Sequence, residues 1–461
     1  MKPTRIPNES EFLSPDFPDY EIVEHVQLNC TDVDGNNNKF YSAEFQRSST
    51  GKFRIYTHYG RVKNNAHVGA FEVRGPGSEA EIRKEFDSII KEKTTRKKET
   101  YTKIDFVKSK VGSPKARQIV RTVEADPSVI KVVKSTKKIT LDPTIIKLVE
   151  GIYADAGNAL KSMINVQITA NGFETPLGVL APKQIDNGRQ ILLSLKDAMG
   201  KNDAIKIKKY NNDFFSVIPH QFGYKITEND WIKSDDKLQN ASDLLQLMAD
   251  SLQLGSAAYV GDAEEKYNQL GVDIAPLLSS DKEYQEIQHY ILSTISDHHS
   301  DLKGIKVRNI FRIHLPHDRK KYESCNVPNE KTLFHGSRNS NIVGILKRGL
   351  LIAPPEAPVS GYAFAKGNYF ADASSKSINY SLKSFGRHPA GNNCFLFLSK
   401  VRLGKMLELE DGRYDADIEC FKRGCNSTLG KKGYRLLHNE YITYKLEQNS
   451  LTFLVELSRP Y

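Results

Sequence analysis

The amino-acid sequence predicts a multidomain α+β chain: a small α+β module, then an all-α helical bundle, then a mixed, β-rich domain. Three observations carry this. Residues 20 to about 110 hold short β-prone runs separated by turn formers, residues from about 140 to 262 repeat apolar side chains at helical spacing, and beyond about 263 the pattern mixes helix and strand. With 461 residues the chain has room for two to four domains, each with its own core.

Residues 1–19 are polar and proline-bearing and read as a flexible tail. The runs EIVEHVQLNC, KFYSAEFQ and KFRIYTHYGRVK follow as strands, the first two divided by the DGNNN turn at 34–38. SEAEIRKEFDSIIKEK is an amphipathic helix with Ile82, Phe86, Ile89 and Ile90 on one face. Residues 116–138, with Pro127 and several lysines, read as a basic linker. Asp142-Pro143 starts the next helix, whose Ile145, Leu148, Val149 and Ile152 recur at helical spacing. A second helix runs from near Pro182 to Gly200. A third carries Leu238, Ala241, Leu244, Leu245, Met248 and Leu252 and stops at Gly255. Several helices with short connections imply a bundle over 139–262. In the last part, a helix around 282–296 precedes the strand-like runs VRNIFRIHL, NCFLFLSKVRL and LTFLVEL.

Charge is unevenly placed. The whole chain carries +10, and residues 91–138, with 15 Lys/Arg against 5 Asp/Glu, account for all of it. Such a segment suits a polyanion, nucleic acid first, or else a solvated linker. There is no run of 18 apolar residues for a membrane span, and the N-terminus lacks a secretory apolar stretch, so no membrane partner is expected. Cys30, Cys325, Cys394, Cys420 and Cys425 are odd in number and form no CxxC pair, which argues against a disulfide framework or zinc module. No GxGxxG follows a strand, the string from Gly424 to Lys432 fails as a phosphate loop, and no GxSxG occurs. His314 and His317 lack organised companions, so no metal is expected.

Three strings in the C-terminal part carry chemistry: LFHGSR at 333–338, GLLIAPPEAPVSGYAFAKGNYFADASSKSINYS at 349–381, and LLHNEYITY at 436–444. In this order they closely resemble the catalytic domain of the DNA-damage-responsive poly(ADP-ribose) polymerases, over most of residues 263–461. TPLGVLAPKQIDNGRQIL at 175–192 and FFSVIPHQFG at 214–223 look like that family's helical regulatory domain. The 20–115 module is similar to its WGR domain, which binds DNA ends, with Tyr59-Gly60-Arg61 where the signature tryptophan would stand. The resemblance therefore implies a flexible tail (1–19), a WGR-like DNA-binding domain (20–115), a linker (116–138), a regulatory bundle (139–262) and an ADP-ribosyltransferase domain (263–461). It is the architecture of the shorter members without zinc fingers.

The resemblance also implies roles. NAD⁺ is a consumed substrate, cleaved between nicotinamide and ribose through an oxocarbenium-like state. The family's His-Tyr-Glu triad falls on His335, Tyr380 and Glu440. His335 would position the ribose and adenosine side, and the Gly336 backbone and Ser377 hydroxyl would hold the carboxamide. Tyr380 would stack on the nicotinamide ring, with Tyr369 closing the other side. Glu440 would bind the ribose 2′-hydroxyl and polarise the acceptor. Ser337, Tyr362 and Lys376 belong to the same donor pocket, covered by a loop at 352–364. Tyr59, Gly60 and Arg61 would face DNA. The expected partners are NAD⁺, DNA breaks or ends, and acceptor proteins including the chain itself. The expected location is the nucleus in a eukaryote, otherwise the cytoplasm or nucleoid.

Departures from the family pattern bear on the product. Leu351 stands where relatives often have an arginine near the adenosine. Ala363 and His438 replace larger acceptor-side residues, and the stretch from Met406 to Leu436 is short. Mono-ADP-ribosylation and a DNA-end-binding scaffold with weak catalysis are the alternatives. Glu440 argues against the first and the complete triad against the second.

Overall fold

Alternating apolar side chains in the first hundred residues build a six-stranded antiparallel sheet. Its strands are β1 (Thr4–Ile6), β2 (Glu21–Asp32), β3 (Asn37–Arg47), β4 (Phe53–Arg61), β5 (Ala70–Gly77) and β6 (Thr102–Lys103), ordered β1-β5-β4-β3-β2-β6. The turn read at 34–38 joins β2 to β3. Asn36 takes φ +50° there, which asparagine tolerates better than branched residues. Helix α1 (Glu79–Thr95) lays Ile82, Phe86 and Ile89 on one sheet face against Leu28, Phe45 and Ile55. Its first turn is closed by Glu81, whose carboxylate accepts from the Ser78 hydroxyl at 2.7 Å and the Ser78 N–H at 3.3 Å.

The computed structural model describes residues 2–6, 13–62, 69–96, 99–120, 140–164, 166–169, 172–220, 226–353, 362–382 and 393–459. Lys97, Lys98 and residues 121–138 of the basic stretch, and 354–361 of the loop matched to the donor cover, lie outside them. The chain forms two units, Met1–Ile130 with Met163–Ala257, and Lys131–Ser162 with Ala258–Tyr461.

Strand β7 (Lys108–Ser109) closes the first segment, and α2 (Pro143–Met163) belongs with the second unit. The first unit resumes with β8 (Gln167–Thr169), β9 (Gly172–Glu174) and β10 (Gly178–Val179), which join β7 in the order β7-β10-β9-β8. These short strands are an addition to the expected bundle. Helices α3 (Pro182–Gly200), α4 (Ala204–Val217) and α5 (Asp235–Leu254) follow, with Pro182 in the first turn of α3 and Gly255, at φ +79°, ending α5. The C-terminal end of α4 is satisfied by β2. Asn29 Nδ2 donates to the Ser216 carbonyl at 3.0 Å, the Thr31 hydroxyl donates to the Phe215 carbonyl at 3.1 Å, and the Ser216 hydroxyl accepts from Thr31 N–H at 2.7 Å. These carbonyls would otherwise be the orphans of a helix end. Sheet and helices of this unit are thus stitched by buried polar bonds.

The chain crosses into the second unit within α6 (Ser256–Val260), followed by α7 (Ala263–Leu270). Tyr153 of α2 donates its hydroxyl to the Lys266 carbonyl at 3.1 Å and meets Tyr259 edge to face. Strand β11 (Asp273–Pro276), helix α8 (Lys282–Ser293), β12 (Lys306–His314), α9 (Pro316–Glu323), β13 (Glu330–Gly336) and α10 (Ile342–Arg348) come next. They lead to β14 (Asn368–Phe370), α11 (Ser374–Ser381), β15 (Asn393–Arg402), β16 (Met406–Leu409), α12 (Ala416–Lys422), β17 (Ser427–Gly430), β18 (Glu440–Thr443) and β19 (Asn449–Ser458). Five strands pair antiparallel as β11-β12-β19-β15-β13; four more run β14-β18-β17-β16, with only β16 and β17 parallel. Ile310, Phe334, Ile378, Leu396 and Val455 meet under α8 and α11 in the main core.

Candidate active site

The expected site residues converge through one stretch of chain, residues 368–381. Strand β13 brings His335 and Gly336 to its end. Just beyond β14, Ala371 exchanges backbone hydrogen bonds with Phe334, at 2.8 and 3.0 Å. On its other side β14 pairs with β18, the strand that begins at Glu440. Helix α11 then supplies Lys376, Ser377 and Tyr380. Three motifs far apart in sequence are thereby brought together within the second unit.

His335 Nδ1 lies 2.9 Å from the Tyr369 carbonyl. A carbonyl only accepts, so Nδ1 carries the hydrogen. Burial lowers the imidazole pKa, only partly opposed by that backbone bond, so the ring is neutral and Nε2 is an acceptor. Ser337 accepts from Asn341 Nδ2 at 3.1 Å.

Gly336 has no space for a side chain, because a Cβ there would lie 1.7 Å from the Ser377 carbonyl oxygen. The Ser377 hydroxyl donates to the Phe334 carbonyl at 3.1 Å, so α11 and β13 are in direct backbone-level contact. Gly336→Ala is expected to cost about 3 kcal/mol by forcing β13 and α11 apart. Thermal melting with NAD⁺ binding measured alongside checks this, and unchanged values in both would contradict the packing argument.

Tyr369 is fixed at both ends of its hydroxyl, which accepts from Phe364 N–H at 2.9 Å and donates to the Ala365 carbonyl at 2.7 Å. Its ring is 5.9 Å from that of Tyr362. Tyr380 is the opposite case, with 44% of its surface exposed on the solvent side of α11. The Lys376 ammonium is 5.9 Å from the Tyr380 ring centre and 2.5 Å from Glu440 Oε1. Glu440 itself is 9% exposed, so its carboxylate is largely removed from water and held by one cation.

The departures have defined surroundings. Leu351 is exposed at 45%, and the Ala363 carbonyl accepts from Arg413 N–H at 2.6 Å. His438 is buried and stacks on His299 at 5.0 Å. Burial first, then the neighbouring His299, Lys376 and Lys432, push its pKa down to about 4. The connection from β17 to β18, residues 431–439, is short, and Tyr434 stands free of the surface.

Two residues that sequence reasoning missed belong to this neighbourhood. Asp372 Oδ2 accepts from Asn439 Nδ2 at 2.8 Å and from the Tyr441 hydroxyl at 3.1 Å. Asn339, four residues past His335, donates to Asp155 Oδ2 of α2 at 3.0 Å. Asp372 and its partner Asn439 stand inside the strings quoted from sequence and Asn339 just past the first of them, but nothing local marks contacts across that many residues.

In the first unit, Tyr59 lies in the middle of the sheet opposite Tyr41, rings 5.7 Å apart, and its hydroxyl donates to Glu72 Oε1 at 2.7 Å. Burial and that carboxylate push its pKa up to about 12. Gly60 follows it in β4. Arg61 ends the strand exposed, with Nη2 donating to Asn37 Oδ1 at 3.1 Å. Among the described residues no group of three or more His, Cys, Asp or Glu is placed to hold a metal ion, and no helix is long and apolar enough to cross a membrane.

A neutral, half-buried histidine, a glycine cradle, tyrosine rings and a carboxylate paired with lysine are the parts that a domain taking ADP-ribose from NAD⁺ is expected to gather. Comparison with known proteins agrees domain by domain. Residues 281–435 match the poly(ADP-ribose) polymerase catalytic domain, 139–270 the poly(ADP-ribose) polymerase regulatory domain, and 24–104 the WGR domain. The chain belongs to the poly(ADP-ribose) polymerase family and is an ADP-ribosyltransferase. It is 28% identical to "Poly [ADP-ribose] polymerase 2" of Zea mays, over 94% of this chain and 70% of that one. It is 27% identical to the protein of the same name in Arabidopsis thaliana, over 94% and 73%. With "Poly [ADP-ribose] polymerase 1" of Xenopus laevis the identity is 28%, over 94% of this chain and 45% of the relative. Glu440 lies just past the matched catalytic span, so its place rests on the LLHNEYITY string and on its pairing in β18.

Proposed function

We propose that the protein transfers ADP-ribose from NAD⁺ to protein acceptors, itself included, and extends the product to poly(ADP-ribose) when it meets a DNA break. In this reading residues 20–115 meet DNA, 139–262 regulate and 263–461 catalyse. The observation that carries it is the convergence of His335, Lys376 and Glu440 through the single stretch 368–381. His335 Nε2 accepts from a ribose hydroxyl. The Gly336 backbone and Ser377 hold the carboxamide, with Tyr380 and Tyr369 flanking the nicotinamide ring and Ser337 and Tyr362 beside it. Nicotinamide leaves with the bonding electron pair, and the Glu440 carboxylate stabilises the positive charge left on the ribose. The same carboxylate then orients the acceptor hydroxyl, while Lys376 supplies its countercharge.

DNA is the activating partner, and in a eukaryotic cell the nucleus is the place where it is met. The basic stretch 91–138, which begins in the last turns of α1, supports this, as does the exposed Arg61 at the end of β4. Arg61→Ala is expected to weaken binding to a nicked duplex and to reduce the slope of log K against log salt by about one. A titration at several salt concentrations measures both, and an unchanged slope would remove Arg61 from the phosphate-contacting set. The function as a whole is tested by incubating the full chain with labelled NAD⁺, with and without nicked DNA, and sizing the product. Long polymer only with DNA supports it; a single ADP-ribose per acceptor selects mono-transfer, and no transfer at all selects a binding scaffold.

A further inference from the structure

The carboxylate of Asp372 takes no part in the chemistry above, yet it accepts hydrogen bonds from both residues that flank Glu440. Asn439 Nδ2 and the Tyr441 hydroxyl reach the same oxygen, Oδ2, at 2.8 and 3.1 Å. In extended chain, residues two apart point to one side and the residue between them to the other. Anchoring 439 and 441 on one side therefore fixes the side, and the height along the strand, at which Glu440 emerges toward Lys376. We propose that Asp372 is a positioning residue that sets the Glu440 carboxylate in place for chain elongation, an assignment that rests on the reading of Glu440 given above.

Two further contacts make the anchor rigid at its own end. Asp372 follows Ala371, whose backbone is bonded in both directions to Phe334, next to His335. The Tyr369 carbonyl, three residues before Asp372, holds His335 Nδ1. The four residues 369–372 thus gauge the spacing between the strand of His335 and the strand of Glu440. Asn439 extends the arrangement, because its Oδ1 accepts from Lys432 N–H at 2.8 Å and so ties down the short connection between β17 and β18. Tyr441 is suited to its part. It is buried, and burial, followed by the Asp372 charge and the hydrogen bond to it, raises its hydroxyl pKa well above the ordinary phenol value, so it stays a donor.

The test is a cycle on the full chain with nicked DNA present. Asp372→Ala is expected to lower the kcat of elongation by roughly 10- to 100-fold, the size of effect that a displacement of about 1 Å produces, with the KM for NAD⁺ little changed. Asp372→Asn keeps an oxygen that accepts from both donors and should restore most of the rate. Asn439→Ala and Tyr441→Phe, each removing one anchor, should give intermediate losses, and they keep the test open if the alanine variant folds poorly. In a Glu440→Gln background Asp372→Ala should cost nothing further, because the group it positions is already disabled. Losses that multiply in the double variant, or a changed KM with kcat intact, would overturn the role of Asp372. Normal elongation by Glu440→Gln alone would instead remove Glu440 from the chemistry, and this role with it, a result that the single variant separates from the others.

Discussion

Glu440→Gln is expected to suppress chain elongation by roughly two to three orders of magnitude while NAD⁺ still binds. The amide matches the carboxylate in shape, so the fold and the donor pocket survive. What is lost is the negative charge, in a position where only 9% of the residue meets water and where solvent screens it little. Elongation suffers more than the first transfer or slow hydrolysis, because only a polymer acceptor needs its hydroxyl both aligned and polarised at each step. The variant also leaves the Lys376 ammonium without its partner, which disfavours the positive ribose further. Polymer sizing on gels with parallel calorimetry of NAD⁺ binding separates these effects. Polymer of normal length, or binding lost along with activity, would contradict the assignment.

The second large effect concerns α2. It folds with the transferase unit, its Ile145, Leu148, Val149 and Ile152 are buried, and its Asp155 holds the side chain of Asn339, which follows the LFHGSR string. The polypeptide then continues from α2 into the unit that carries the WGR sheet. A helix packed into the transferase unit and joined in sequence to the unit that carries the WGR sheet is suited to act as a brake. DNA then needs only a few kcal/mol of differential affinity to shift the population toward the open form. Residues 263–461 alone are expected to consume NAD⁺ without DNA at least about tenfold faster than the resting full chain. Asp155→Ala in the full chain should raise the DNA-free rate in the same direction by a smaller factor. Equal, low, DNA-independent rates from a folded 263–461 fragment and the full chain would reduce α2 to a spacer.

Much of this was legible in the sequence because the signals are local. Pro182 and Gly200 bound α3, Gly255 ends α5, and the β-prone runs KFYSAEFQ and NCFLFLSKVRL, buried along most of their length, give β3 and β15. The candidate site was legible through LFHGSR, NYFADASSKSINYS and LLHNEYITY, whose residues do meet. What stayed hidden is long-range. Strands β8 to β10 are two or three residues each and take their stability from one another and from β7, so no periodicity announces them. The same holds for Asp372 with Tyr441 and Asp155 with Asn339, which are 69 and 184 residues apart in the chain. The division of the helical stretch, α2 to one unit and α3–α5 to the other, also follows from packing and not from any break in the helical pattern.

The five cysteines give the folded chain a built-in chemical silence. All are buried with free thiols, and burial pushes Cys30 and Cys420 up to about 11 and Cys394 up to about 12. The thiolate is the reactive form toward oxidants and alkylating reagents, so at neutral pH Cys30, Cys394 and Cys420 answer only when the structure around them opens. Cys30 sits in the first unit and the other four in the second. The rates at which Cys30 on one side and Cys394 and Cys420 on the other are alkylated in native protein are therefore clocks for the opening of their own units, readable without introducing a single substitution.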